Sequence, residues 1–206
     1  MKSLPNSAFQ LEKSRGANGY VVAAGEQLAL IGPGMAGGAA AVVRELRDAG
    51  LLPALRHVLL THYDTDHAGA ALAVAKAAGA TLWISRADAA VLRGESRPAT
   101  VSRRMLTLFG RPRLPKQVSY LGETEGFPSQ ITAVASPGHT PGHYAFLWQD
   151  SLFCGDAAMV REDGTLKQFP GFLITDKTLA LATTTALEAL DASWICPGHG
   201  KVTRKR

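Results

Sequence analysis

Cysteine is scarce in this chain: Cys154 and Cys196 are the two it has among 206 residues. That is too few for a disulfide framework and agrees with a reducing compartment. Both are expected in the core, where free cysteine usually lies. Long apolar runs are missing as well. The opening "MKSLPNSAFQ" holds no segment able to form the core of a signal peptide, and no later stretch approaches the roughly 18 apolar residues of a membrane span. A soluble, cytoplasmic protein with no membrane partner is therefore expected. Sequence repeats, low-complexity tracts and interdomain linkers are also absent. With 46% hydrophobic residues, residues 1–206 read as one domain with a sizeable core.

Acidic residues are few in one region. Between Arg86 and Lys116 stand Arg93, Arg97, Arg103, Arg104, Arg111 and Arg113, against Asp88 and Glu95 alone. Such a field can draw in an anionic substrate, and an ordinary solvated helix face accounts for it equally well. The stretch lacks the interleaved aromatics of a single-strand binder, so no nucleic-acid partner is expected. The terminal "KVTRKR" reads as a solvated tail.

What is present is an alternation of strands and helices. "GYVVAAGEQLALI" (19–31) predicts two strands about a Gly-Glu-Gln turn, and residues 39–49 sort at helical spacing. "HVLLTH" (57–62) predicts a strand buried on both faces, 68–78 a helix and 81–85 the next strand. Residues 86–117 predict one or two helices and a Pro-containing loop, a helical insertion placed to lie over a site. The second half predicts hairpin-like strands at 131–135, 143–148 and 151–154, then a helix over 177–190 and a last strand, "SWIC".

Six histidines punctuate this pattern, and His62, His67, His139 and His199 fall just after a strand or in a Gly/Pro turn, where side chains can converge. The run "THYDTDHAGA" gathers His62, Asp64, Asp66 and His67 within six positions, and "SPGHTPGH", "LFCGDA" and "CPGHG" follow in that order. Imidazole and carboxylate are the ligands of hydrolytic Zn, Mn and Fe centres. A metal site is the expectation, with Asp156 a further candidate ligand.

With these motifs the sequence resembles the metallo-β-lactamase superfamily, and particularly its glyoxalase II-like branch of metal-dependent hydrolases. The resemblance runs from "NGYVV" through the metal turns to "PGHG". It implies an α/β fold, a four-layer αββα sandwich, with a binuclear site at one edge. It places His62, Asp64 and His139 around a first metal and Asp66, His67 and His199 around a second, with Asp156 bridging them. His143 is not an expected ligand and is read as supporting or packing. The cofactors implied are two divalent ions, zinc first, with iron or manganese as alternatives.

Two positions depart from the family's pattern. Histidine is commonest where this chain has Asp64, and a carboxylate there is a harder ligand that tilts the site toward Fe or Mn. The segment that usually reads "DTG" or "DPG" reads "GPG", so Gly32 stands where an acid is expected beneath the site. Losses of such supporting groups commonly cost about 10- to 100-fold in metal affinity or activity.

The activity implied is hydrolysis of an ester, thioester or lactone of a small molecule through a metal-bound hydroxide, with Asp66 orienting the water as its catalytic residue. Glyoxalase II proper carries a further helical domain for its glutathione thioester, and nucleases of the superfamily carry one for gripping the strand, so both are weaker expectations. Two alternatives stand beside hydrolysis: iron-dependent redox chemistry, which Asp64 favours, and a binding protein that has lost catalysis, which Gly32 favours.

Overall fold

In the computed structural model, which describes residues 1–4, 8–98, 100–106 and 111–206, the chain opens with two short strands, β1 (Lys2–Ser3) and β2 (Phe9–Gln10). The apolar runs of the next segment form β3 (Tyr20–Ala24) and β4 (Gln27–Ile31), a hairpin closed by Gly25 and Glu26. Helix α1 (Ala39–Asp48) then crosses to β5 (Leu55–Leu59), which pairs parallel to β4. Helices α2 (Thr65–Ala68) and α3 (Ala71–Ala78) lead to β6 (Thr81–Ile84), parallel to β5. After α4 (Arg86–Arg93) and α5 (Val101–Leu106), β7 (Ser119–Tyr120) closes the first sheet, whose strand order is β1 to β7.

The second sheet is built from β8 (Ile131–Ala135), β9 (Tyr144–Trp148) and β10 (Ser151–Gly155). A small hairpin, β11 (Met159–Val160) and β12 (Leu166–Lys167), and helix α6 (Lys177–Glu188) precede β13 (Trp194–Pro197) and β14 (Thr203–Arg204). The order across this sheet is β14-β13-β10-β9-β8.

Alternation along the strands sorts the apolar side chains into layers. Tyr20, Ile31, Leu59 and Trp83 of the first sheet meet Phe146, Trp148 and Phe153 of the second in one shared core. On the opposite face Val21, Leu30, Val58 and Leu82 pack against Val42 and Leu46 of α1 and Val74 of α3. The second sheet turns Ala145, Leu152, Cys154 and Ile195 toward Leu187 of α6. The result is the expected αββα sandwich.

Two local readings change. The helix expected over 68–78 is two helices, because the Ala70 N–H donates to Gly34 O at 2.8 Å across to the neighbouring turn. At Gly69 a Cβ would stand 2.4 Å from the Ala36 nitrogen, so the chain packs too closely there for a larger residue. The terminal segment is not wholly a solvated tail: Thr203 and Arg204 pair with Ile195 and Trp194 as an edge strand. Its cationic side chains suit an exposed edge. The insertion over 86–117 contributes α4 and α5, and residues 99 and 107–110 of it lie outside the described residues.

Candidate metal centre

Strand direction decides where the ligand candidates meet. In the second sheet β8 runs antiparallel to β9 and β9 antiparallel to β10, while β10 and β13 are parallel. The C-terminal ends of β8, β10 and β13 therefore share one edge. His139 follows β8, Asp156 follows β10 and His199 follows β13. The turn after β5 joins them through the Tyr144 N–H, which donates to Thr61 O at 2.8 Å. That turn presents His62 and Asp64, and Asp66 and His67 lie on the single turn of α2.

All seven residues converge. His62, Asp64 and His139 offer ligand atoms within 4.8 Å of one another, as do Asp66, His67 and His199, and also His62, His67 and Asp156. Asp156 Oδ1 lies 3.2 Å from His67 Nε2, and Asp156 Oδ2 lies 3.3 Å from His199 Nε2 and 3.6 Å from His139 Nε2. A tetrahedral shell with ligands at 2.0–2.2 Å has edges of about 3.4 Å. The donor spacing therefore suits a metal.

Hydrogen bonding gives a second test. His62 Nε2, His67 Nε2 and Asp156 Oδ1 are buried and have no hydrogen-bond partner among the described residues. His67 Nε2 and Asp156 Oδ1 are near enough to bond, yet neither is aimed at the other. Buried polar atoms are rarely left so, and lone pairs directed at one common point are what a cation needs. His62, His67, Asp66, Asp156 and His199 thus fit a divalent ion.

The supporting contacts hold these side chains from behind. Thr61 Oγ1 lies 3.0 Å from His62 Nδ1. His143 is outside the cluster of ligand atoms: its Nε2 accepts from the Asp156 N–H at 3.2 Å, which leaves its Nδ1 to donate to Ser136 Oγ at 2.7 Å. Gly155 and Gly198 sit where a side chain would not fit. A Cβ on Gly155 would fall 2.9 Å from His143 Nε2, and one on Gly198 2.3 Å from Asp156 Oδ1. Gly32 has φ +64 and lies beside His67, with a built Cβ 3.9 Å from His67 Nδ1. A residue there would be aimed at that nitrogen, and none reaches from this position.

Charges around the cluster are strongly coupled. Burial and the neighbouring His67 lower His62 to about 4, so its imidazole is neutral and free to ligate. Hydrogen bonds to Asp156 and Asp66 raise His199 to about 10. Burial lowers His67, but the Asp156 and Asp66 charges outweigh it and its net shift is upward. Asp156 is held well below the usual carboxylate range: its burial is outweighed by His67 and His199. A divalent cation at these groups would compete with the proton on His199.

Two residues that sequence reasoning missed complete the picture. Arg103 of α5 is buried and meets Asp64 and His139 directly, with its Nη2 2.9 Å from Asp64 Oδ2 and 2.8 Å from His139 Nε2. Asp88 of α4 is fully buried and ties both metal turns together. It accepts from the Tyr63 N–H at 3.1 Å, the Thr140 hydroxyl at 2.9 Å and the Gly142 N–H at 2.9 Å. The "SRAD" spacing marks Asp88 as a helix-start residue, since its N–H donates to Ser85 Oγ. Nothing local marks its reach to the turns.

The comparisons agree with this geometry. The YobT protein of Bacillus subtilis (strain 168), itself uncharacterised, is 29% identical over 201 residues, covering 91% of this chain and 84% of that protein. A hydroxyacylglutathione hydrolase of Shewanella baltica (strain OS223) is 30% identical over 119 residues, 58% of this chain but 39% of that enzyme. Among solved structures, TTHA1623 in a di-iron-bound form is 27% identical and superposes with a TM-score of 0.72 over 95% of this chain and 93% of that one. A B3 metallo-β-lactamase with an active-site glutamic acid shares the fold at a TM-score of 0.75 and 20% identity, over 98% of this chain and 82% of that one. The family model of the metallo-beta-lactamase superfamily matches residues 14–199, and the chain belongs to that superfamily.

Proposed function

We propose that this protein is a metal-dependent hydrolase acting on an ester, thioester or lactone of a small molecule. One observation carries the reading. His62 Nε2, His67 Nε2 and Asp156 Oδ1, unpartnered among the described residues, lie together, beside a cavity of about 520 Å³ lined by Asp156, Asp64, His139, Asp66 and His199. The Shewanella baltica relative, named for hydrolysis of an acylglutathione, supports the same reaction class.

Bound at these residues, a divalent ion supplies a water that ionises near neutral pH and a Lewis acid for the carbonyl. The chain's own residues do the rest. His67, Asp156, Asp66 and His199 would hold the ion, with His62 grouped beside His67 and Asp156. Asp66 is the residue proposed to orient the water, since its carboxylate lines the cavity and its Oδ2 is 3.2 Å from His199 Nε2. Tyr63, Leu92, Phe169 and Leu173 form apolar walls, which exclude water and fit an apolar acyl or alcohol part of the substrate.

The arginine-rich stretch bears differently on an anionic substrate. Arg103 is committed to Asp64, Arg86 to Glu123 and Arg93 to Tyr120. Arg111 and Arg113 line a neighbouring cleft with Lys76, so an anionic substituent would be met there and not at the metal. No described helix is long and apolar enough to cross a membrane. The buried, unpaired Cys154 and Cys196 support a reducing, cytoplasmic setting as part of the proposal.

The test is metal content by plasma mass spectrometry, followed by a panel of esters, thioesters and lactones assayed on loaded and chelator-stripped protein. Turnover that is lost on stripping and restored by zinc or manganese is expected. The di-iron form of TTHA1623 favours a second reading, an iron-loaded redox enzyme. Stoichiometric iron with oxygen consumption and no hydrolysis would select it.

A further inference from the structure

Asp64 and His139 are the expected metal ligands that Arg103 engages. The Arg103 Nε donates to Asp64 Oδ1 at 3.0 Å, and its Nη2 donates to Asp64 Oδ2 at 2.9 Å and meets His139 Nε2 at 2.8 Å. At its far side Nη1 donates to Leu173 O at 2.8 Å and to Thr175 Oγ1 at 3.2 Å. A guanidinium has five N–H donors, and five acceptors surround this one. The side chain is 1% exposed and lines the cavity beside the cluster, held there by these partners.

We infer that Arg103 is a built-in competitor for the first metal position: its guanidinium stands among Asp64 and His139 as the cation of that half, leaving one tightly held ion in the other half. The inference rests on the metal-hydrolase reading and concerns how its ions are distributed.

Two independent observations lead there. The first is the lone-pair count. His139 Nε2 meets both Arg103 Nη2 at 2.8 Å and Asp64 Oδ2 at 3.2 Å; as an acceptor it gives the guanidinium the lone pair a metal would need, so ion and guanidinium cannot both use it. His62 Nε2, His67 Nε2 and Asp156 Oδ1 have no partner among the described residues and no bond to Arg103, whereas on His139 it is Nδ1, not the Nε2 that meets Arg103, that is left unpartnered.

The second is charge. Asp64, Asp66 and Asp156 bring three negative charges to the centre, and Arg103, which keeps its proton at any working pH, removes one. With the hydroxide of the proposed reaction counted, one divalent ion would leave the cluster at −1 and two would leave it at +1. A second divalent ion would leave the buried cluster with net positive charge, which a low-dielectric site penalises heavily. The same pairing explains Asp64 itself. A neutral imidazole at that position would leave the buried guanidinium without a counter-charge, so the carboxylate and Arg103 belong together.

The test is a cobalt(II) titration of chelator-stripped protein, followed by the visible bands of the bound ion and checked by plasma mass spectrometry. The parent is expected to take up one equivalent tightly and a second at least about 10-fold more weakly, the smallest effect usually seen when groups around a metal site are altered. Arg103→Ala is expected to tighten the second equivalent by a similar factor, and free guanidinium ion at sub-denaturing concentration is expected to weaken it again in that variant alone. Two equally tight equivalents in the parent would overturn the inference with no variant needed. So would an Arg103→Ala protein that folds and keeps the parent's second affinity. Failure to bind any cobalt would remove the metal-hydrolase reading itself, and this inference with it.

Discussion

Replacing Asp88 tests how the two metal turns are held, because its carboxylate bonds to both. Oδ1 accepts from the Gly142 N–H, and Oδ2 accepts from the Tyr63 N–H and the Thr140 hydroxyl. Asp88→Ala strips all three donors of their acceptor, and each donor left unsatisfied inside the protein costs about 1–3 kcal/mol. Removing the carboxylate also removes the cost of having buried it, so the net loss is expected at about 3–5 kcal/mol, as when one partner leaves a buried polar network. Asp88→Asn keeps an oxygen for two of the donors but turns an N–H₂ toward the third. Its expected cost is about 1–2 kcal/mol, one bond to a charged acceptor.

Urea unfolding of chelator-stripped protein, read by the buried Trp83 and Trp148, measures both values. The sign of the pH dependence is a further check. Burial, helped by the nearby Asp64 charge, raises Asp88 from 3.8 to about 7 in spite of its three donors. A folded-state value above the unfolded one means the stability Asp88 contributes is full below pH 3.8 and is lost as pH rises through about 7. The parent is therefore expected to exceed Asp88→Asn by more at about pH 6 than at about pH 8. An Ala variant within about 1 kcal/mol of the parent, a typical surface-like effect, would refute the tether. So would a gap between parent and Asn variant that widens with rising pH.

Two further outcomes are expected. Gly198→Ala would drive a Cβ to 2.3 Å from Asp156 Oδ1 and 2.5 Å from His67 Cε1. Zinc affinity, measured by competition with a chromophoric chelator, should fall at least about 10-fold, while the unfolding midpoint of the stripped protein moves little. Cys154 and Cys196 are both buried; burial raises the first thiol far above its usual range and the second to about 12. Neither should react with a disulfide reagent in the native protein, and both should react once it is unfolded; rapid native labelling of Cys154 would reopen a role for its thiol.

How much of this was legible in the sequence follows the range of each interaction. The βα series and the second-half hairpins were legible because their alternation and turn residues are local. The break between α2 and α3 was not, since it depends on Ala70 bonding to Gly34, and an alanine-rich run gives no hint of a distant carbonyl. The two-residue strands at Lys2–Ser3 and Phe9–Gln10 carry too few residues for any periodicity. In the candidate site, His62, Asp64, Asp66 and His67 stood out through short spacing. His139, Asp156 and His199 were found through the family resemblance and the turns that bear them. What brings them together is strand direction in the second sheet, a property of pairing across the fold.

Arg103 marks the limit of local reading. It lies 39 positions from Asp64, on a six-residue helix within a run of arginines that look alike in the sequence. The aspartate was visible as a departure, and the chemical question it raised was which cation balances an extra carboxylate. A harder metal was one answer, because sequence reasoning weighs a ligand against the ion it is expected to hold. The structure supplies another, a guanidinium already seated between Asp64 and His139. A substitution at a metal ligand is therefore best judged with every fixed charge that packs against it. At this centre the compensating charge comes from α5, outside the metal motif, and no spacing rule within that motif could have shown it.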